Sequence, residues 1–224
     1  DKVYLYQLSN YNKVVLQRNK LLKELYLHPD YREVLDVLDM QLVQYGSALI
    51  QRRQTFAEEL GEIVHRIHSQ LSGGQEEMEL KYEPNVTVDA FAQMLFANRE
   101  RDMRLKTTAT GPHRDDISFV VNGVDIRKFG SQGQQRTAAL SLKLSEIELV
   151  KRLIGDTPVL LLDDVLSELD SGRQNYLLNS IENIQTLITC TGLDEFVNHR
   201  FSINRIYKVT DGSVTVENKQ EADR

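Results

Sequence analysis

The sequence predicts a mixed α/β chain in which a helical arm precedes strands and helices of the parallel-sheet kind, and three observations predict it. Large apolar residues recur at helical spacing from Tyr31 to Leu71. The short apolar run Val159 to Leu162 ends in two acids, Asp163 and Asp164. Two turn signals, Asn122-Gly123 and Asp211-Gly212, each sit between strand-like segments.

In the arm, the apolar positions 31, 35, 38, 42, 45 and 49 alternate steps of four and three, and the stripe resumes at Phe56, Leu60, Ile63, Ile67 and Leu71. This is close to the 3.5-residue seam of a coiled coil. Pro29-Asp30 supplies its first turn, where a missing amide costs nothing and an acid meets the positive helix end. An earlier helix bearing Val15, Leu22 and Leu25 packs antiparallel to it. The stretch Ser72 to Gln75 breaks the helix, and Glu79 to Glu83 alternates as a short strand. Thr87 N-caps a helix carrying Phe91, Met94, Leu95 and Asn98, whose last turn holds Arg99, Arg101, Arg104 and Lys106. Two readings of these cations stand: pairing with the negative helix end, or contact with DNA. Beyond Gly111-Pro112 the pattern becomes mixed, with Ile117 to Val121 and Val124 to Arg127 as arms of a hairpin. A long helix from about Gly133 to Ile154 places Leu140, Leu144, Ile147 and Val150, or their neighbours, inward. Val159 to Leu162 and Thr186 to Thr191 read as strands buried in a parallel sheet, with a helix after Ser171 between them, and a closing hairpin pairs Arg205 to Val209 with Ser213 to Glu217. These elements group into a helical lobe, 1–110, and a sheet region, 111–224.

A formal net charge of -6 opposes a uniformly basic coat for nucleic acid, so any DNA contact has to be a local patch. The single Cys, Cys190, excludes an internal disulfide and a zinc site built on Cys pairs, and suits a reducing cytoplasm. There is neither a run of about 18 apolar residues nor a leader-like start, so no membrane span is expected. The first residue is Asp1 rather than Met, which is the expectation for a fragment.

Ligands of open parallel sheets bind at the carboxyl ends of the strands. There, Asp163 can hold a nucleotide's magnesium ion, usually through water, and Asp164 can orient or deprotonate an attacking water, the alternative being a strand that simply ends in solvated acids. Upstream, Ser131-Gln132-Gly133-Gln134-Gln135 opens the long helix. A serine hydroxyl, a glycine amide and unpaired helix amides together favour a phosphate, with simple N-capping by Ser131 as the alternative. Leu71-Ser72-Gly73-Gly74-Gln75 spells the commonest signature of ABC transporters, but it ends a helix where a phosphate site has to start one.

The series Gly111-Pro112-His113-Arg114-Asp115-Asp116, Asn122-Gly123, Ser131 to Thr137, Ala139 to Leu144 and Leu161 to Asp170 resembles, in order and spacing, the second half of RecF proteins. Gln17-Arg18-Asn19 and Leu21-Leu22-Lys23 are similar to the start of that family's helical region. The resemblance implies a helical arm or lobe followed by the C-terminal part of an ABC-type ATPase sheet with flanking helices. It implies that Ser131, Gln132, Gly133 and Gln134 form the signature, which clamps the γ-phosphate of ATP held by the opposite subunit. Ser167 to Asp170 resembles the D-loop at the dimer interface, and Thr191 takes a sensor position. Asp164 stands where the catalytic Glu usually does, one methylene shorter, which predicts slow hydrolysis. The resemblance further implies ATP and Mg2+ as cofactors, an ATP-dependent homodimer, and action in recombinational repair, replication and the SOS response. Its partners would be RecR, RecO and DNA at gaps or single-strand/double-strand junctions, in the cytoplasm at the nucleoid.

The sequence departs from that pattern in one main respect: no Gly is followed by Lys, so GxxxxGK[ST] is absent and this chain alone should not hydrolyse ATP. The rival reading is a non-enzymatic module in which the arm and the basic turn dock on DNA or RecR. An SMC-like head would need longer coiled-coil arms than Pro29 to Leu71 provides. His28, His65, His68 and His199 show no metal spacing and read as surface or interface residues, while His113-Arg114 either binds phosphate or ties lobe to sheet through Asp115 and Asp116.

Overall fold

The computed structural model describes residues 1–25, 32–191 and 203–217. Pro29-Asp30, Tyr31, His28 and His199 lie outside the described residues. The chain divides into two compact units, Asp1–Leu149 and Val150–Arg224. That packing boundary falls beyond 110/111 because strands from both sides of the latter join in one sheet.

In the first unit, helix α1 (Lys2–Glu24) and helix α2 (Arg32–Leu71) form an antiparallel pair. Arg53 near the middle of α2 meets Tyr4, whereas Asp39 near its start meets Arg18. The seam read from the sequence is the buried stripe: Leu35, Leu38, Leu42, Leu49, Leu60, Ile63, Ile67 and Leu71 are all in the core. Tyr45 is only partly buried against that core and Phe56 is exposed; Ala57 takes the inward position because the helix turns at 3.6 rather than 3.5 residues. Helix α2 ends in a Schellman stop. The Gly74 amide donates to the Ser69 carbonyl at 2.7 Å and the Gly73 amide to Gln70 at 3.3 Å, with both glycines left-handed at φ 78 and 65.

Strand β1 (Met78–Glu83) pairs antiparallel with β2 (Asp116–Val121), and β2 with the two-residue β3 (Val124–Asp125). Asn122 (φ 48) and Gly123 (φ 82) make the tight turn expected of Asn-Gly. The arm expected to reach Arg127 stops at Asp125. Its carboxylate accepts the Arg127 amide and so starts a short helix, α5 (Ile126–Phe129). Likewise, the helix expected to run through the basic residues is two helices, α3 (Val88–Ala97) and α4 (Arg99–Leu105). Asn98 separates them and donates its side-chain amide to Thr110. Thr87 holds the N-cap position of α3 without a side-chain capping bond. Helix α6 (Gln132–Ile154) follows, with Leu140, Leu144 and Leu149 inward, and with Ser141 and Ser145 buried among them.

A buried ion network fastens this lobe. Arg18 is 0% exposed; its guanidinium donates to Asp39 at 2.6 Å, to Asp102 at 2.7 Å and to Thr108 at 3.0 Å. Asp39 also receives Arg99 at 2.7 Å, and Asp102 accepts the Ala109 amide at 3.0 Å. Nearby, Tyr11 and Phe91 pack so closely on Gly111 (φ 129) that a Cβ there would lie 2.3 Å from the Tyr11 hydroxyl. Gly46 faces the same two rings, with a Cβ position 2.5 Å from Phe91.

In the second unit, β4 (Leu160–Asp163) and β5 (Thr186–Thr189) are parallel, with Asp163 opposite Thr189. Helix α7 (Ser171–Ser180) lies between them in sequence and supplies Leu177 and Leu178 to a small core with Leu162, Leu166, Ile181 and Ile184. Burial on both faces, expected from the apolar runs, is not found. Leu162 is 8% exposed, but Leu161 is 71% exposed and Leu187 55%. Side chains alternate across a strand, and among the described residues of this unit one face is covered and the other is not. The last of the described elements is the hairpin β6 (Ile206–Thr210) and β7 (Ser213–Glu217), turning at Asp211-Gly212 as expected.

Candidate functional site

Each unit contains one part of the predicted chemistry. In the second, Asp163 is the last residue of β4 and Asp164 follows it in a left-handed conformation, φ 51, which re-aims the chain out of the strand. One residue serves both acids. The Thr189 hydroxyl donates to Asp163 Oδ1 at 2.5 Å and accepts the Asp164 amide at 3.1 Å, and the Thr189 carbonyl accepts that amide at 3.2 Å. The sequence reading passed over Thr189 for Thr191, which lies two residues beyond the end of β5. The pairing register was the missing information: the two hydroxyl bonds need an alcohol side chain directly opposite Asp163.

Among the described residues Thr189 alone bonds the Asp163 carboxylate, through one oxygen, and the side chain is solvent-accessible. Among them no group of three or more His, Cys, Asp or Glu is arranged to hold a metal. That donor set suits an ion such as Mg2+, which takes one or two carboxylates and completes its shell with water and phosphate. The Asp164 carbonyl accepts the Ser167 hydroxyl at 2.9 Å, and the Leu166 carbonyl accepts from Gln174 at 2.8 Å, so the loop to α7 is held at both ends. Asp170 caps α7: its carboxylate accepts the Arg173 amide at 3.1 Å and pairs with the Arg173 guanidinium at 2.6 Å. That backbone amide holds Asp170 below the usual carboxylate range.

In the first unit, Ser131 opens α6 through a reciprocal capping box. Its hydroxyl accepts the Gln134 amide at 3.2 Å, and Gln134 Oε1 accepts the Ser131 amide at 3.1 Å. Ser131, Gln132 and Gly133 are exposed. The two glycines here differ. A Cβ at Gly130 would sit 2.6 Å from the Ile126 carbonyl, so packing requires glycine there. A Cβ at Gly133 would meet nothing nearer than the Ser131 hydroxyl at 3.9 Å.

The residues around Gly111 tie elements together. Asp115 accepts from Arg53 of α2 at 3.0 Å, from the Tyr82 hydroxyl of β1 and from the Asn85 amide at 2.9 Å. Asp116 takes a two-pronged bond from Arg127, which holds its carboxyl below the usual range. His113 Nε2 donates to the Thr108 carbonyl at 3.0 Å, leaving Nδ1 to accept the Tyr11 hydroxyl at 2.7 Å. Burial lowers the His113 pKa, in keeping with that neutral ring. Of the four cations ending α3 and α4, Arg99 is bound to Asp36 and Asp39 and lies over the Phe96 ring. His68 is a correction to the surface reading: it is fully buried, between Ser141 and Glu76.

A helical lobe followed along the chain by a helix opened by Ser-Gln-Gly, a strand ending in paired acids and an Asp-capped helix is the order of the C-terminal part of an ABC-type ATPase head. No protein-family model matches the chain. It is 58% identical over 220 residues to the DNA replication and repair protein RecF of Lachnospira eligens, covering 97% of this chain and 61% of that protein. It is 44% identical over 223 residues to RecF of Halalkalibacterium halodurans, covering 95% and 60%. The solved structure of the recombination mediator protein RecF with ATP superimposes with a TM-score of 0.85 at 34% identity, over 97% of this chain and 59% of that one. The chain belongs to the RecF family, and spans about three-fifths of the length of the curated relatives it matches.

Proposed function

We propose that the chain contributes the signature, the magnesium-binding strand and the interface loop to an ATP-dependent DNA-binding protein of recombinational repair. ATP drives its homodimerisation, and hydrolysis is slow. Ser131 to Gln134 clamp the γ-phosphate held by a second subunit. Asp163 would hold Mg2+, which supplies charge neutralisation at the phosphates, while Asp164 orients water and Thr189 fixes both acids. Asp170 keeps the interface loop in shape, and Thr191 stands as the sensor. Partners are RecR, RecO and DNA at gaps or junctions, in the cytoplasm at the nucleoid; relatives described as belonging to the RecFOR pathway support this assignment. Phosphate contacts from the P-loop are not available in this sequence, so the chain by itself binds ATP no tighter than millimolar. The docking-module alternative is weakened because Arg99 is already bound within the lobe.

The observation that carries this reading is the open space at Gly133 on an exposed helix start. Nothing among the described residues requires glycine there, whereas an approaching phosphate would. Ser131→Arg in the full-length protein should leave monomeric ATP affinity unchanged and abolish ATP-driven dimerisation, read by sedimentation with ATP and magnesium. Normal dimerisation of this variant, or collapse of monomeric ATP affinity, overturns the reading.

A further inference from the structure

The segment that opens α6 is joined to the end of α2 by a closed ring of side-chain hydrogen bonds. Gln134 uses its Oε1 for the Ser131 amide, and its Nε2 donates to Glu76 Oε1 at 2.9 Å. Glu76 Oε2 lies 3.2 Å from His68 Nε2, and His68 Nδ1 lies 2.9 Å from the Ser141 hydroxyl. Ser141 donates to the Thr137 carbonyl at 2.7 Å, and Thr137 donates to the Gly133 carbonyl at 2.8 Å. The path therefore starts and finishes within the proposed phosphate clamp.

The chemistry fixes the direction of the bonds. A hydroxyl has one proton, and Ser141 gives its own to Thr137, so His68 Nδ1 carries the hydrogen that Ser141 accepts. One proton on the line between Nε2 and Glu76 Oε2 then closes the ring. His68 is wholly buried on α2, and Glu76 has its backbone amide held by the Ser72 hydroxyl at 3.2 Å, just past the Schellman stop. The carboxylate is thus presented to Gln134 from a fixed base. Gln134 without Glu76 would be a half-exposed side chain in the first turn of a helix, free to leave the Ser131 amide.

We infer that Glu76, held by His68, is a positioning residue for the Ser131 to Gln134 clamp: it locks the capping box that aims the α6 amides. The inference rests on the clamp reading above. Because His68 and the stop belong to α2, the end of the helical arm sets the geometry of the clamp, and a shift of the one is transmitted to the other through Glu76.

The test compares Glu76→Ala, Glu76→Gln and Ser131→Arg in the full-length protein, by ATP-driven dimerisation, monomeric ATP affinity and thermal unfolding. Glu76→Ala should weaken dimerisation about tenfold, the loss of one hydrogen bond to a charged group, with monomeric ATP affinity unchanged. Glu76→Gln can accept from Gln134 and donate to a neutral His68, so it should restore dimerisation to within about twofold of wild type. A residue that served stability alone would shift unfolding and leave the dimerisation of folded protein untouched. Should Glu76→Ala fail to fold, Gln134→Ala breaks the same link from the partly exposed side and should give the same loss. Normal dimerisation of Glu76→Ala alongside a defective Ser131→Arg overturns the positioning role and leaves the clamp standing. Normal dimerisation of Ser131→Arg overturns the clamp, and the positioning role with it.

Discussion

The two units handle their difficult groups in opposite ways. The first buries charge among partners: Arg18, Asp39, Asp102, Thr108 and Arg99 bond to one another across α1, α2, α4 and the loop that follows, while the buried Arg18 Nη2 has no partner among the described residues. The second leaves apolar surface uncovered, with Leu161 and Leu187 outward on its two-stranded sheet and Tyr207, Val209, Val214 and Val216 outward on its hairpin. A unit that pairs its buried charges with one another can be stable by itself. One that, among the described residues, exposes a sheet face and unpaired strand edges is the part that depends on further contacts.

The largest effect should come from the buried network. Arg18→Ala leaves Asp39 and Asp102 buried without their shared cation, and should cost about 3–5 kcal/mol in denaturant unfolding of the chain. A loss below about 1 kcal/mol would mean that the network is no keystone and that the contrast between the units is overstated. Next comes a paired test on β4. Leu162→Ala should destabilise by about 2–5 kcal/mol, whereas Leu161→Ser, one residue away on the open face, should stay within about 0.5 kcal/mol. Equal losses at the two positions would show that the open face is covered. The smallest effect distinguishes structure from function within the first unit. Gly133→Ala should stabilise α6 by up to about 1 kcal/mol, since alanine favours helix and meets no neighbour, yet should impair ATP-driven dimerisation in the full-length protein. If dimerisation is unimpaired, the space at Gly133 is not reserved for a ligand.

What the sequence made legible follows the same division. The arm, the two glycine turns, the long helix and the paired acids could all be read because each rests on local periodicity or turn chemistry. The Ser72 to Gln75 stop was legible too, since its glycines end a helix. What escaped depends on tertiary pairing. Arg18 sits at an inward helical position where a charge is costly, and only its partners from three other segments explain it. His68 and Ser141 are 73 residues apart and look unremarkable singly. The break at Asn98 comes from a side-chain bond to Thr110 that no propensity contains. Burial of both sheet faces was inferred from apolar runs, but a run reports what a strand is suited to, and the covering residues have to come from elsewhere.

The hydroxyl of Thr189 carries a consequence for how β4 and β5 find each other. Four-residue parallel strands with apolar residues on both faces say little about alignment, and a shift by one residue would still offer leucine or isoleucine to the core. Such a shift would place Ile188 or Cys190 beside Asp163 and leave both acids without their shared alcohol. Neither one-residue shift keeps the Thr189 bond, so the contact that, on the proposed function, would prepare the acids for a nucleotide also acts against slippage by one in the sheet. A chain that misaligns there would still be compact, and on the proposed function its defect would appear in nucleotide chemistry before it appeared in stability.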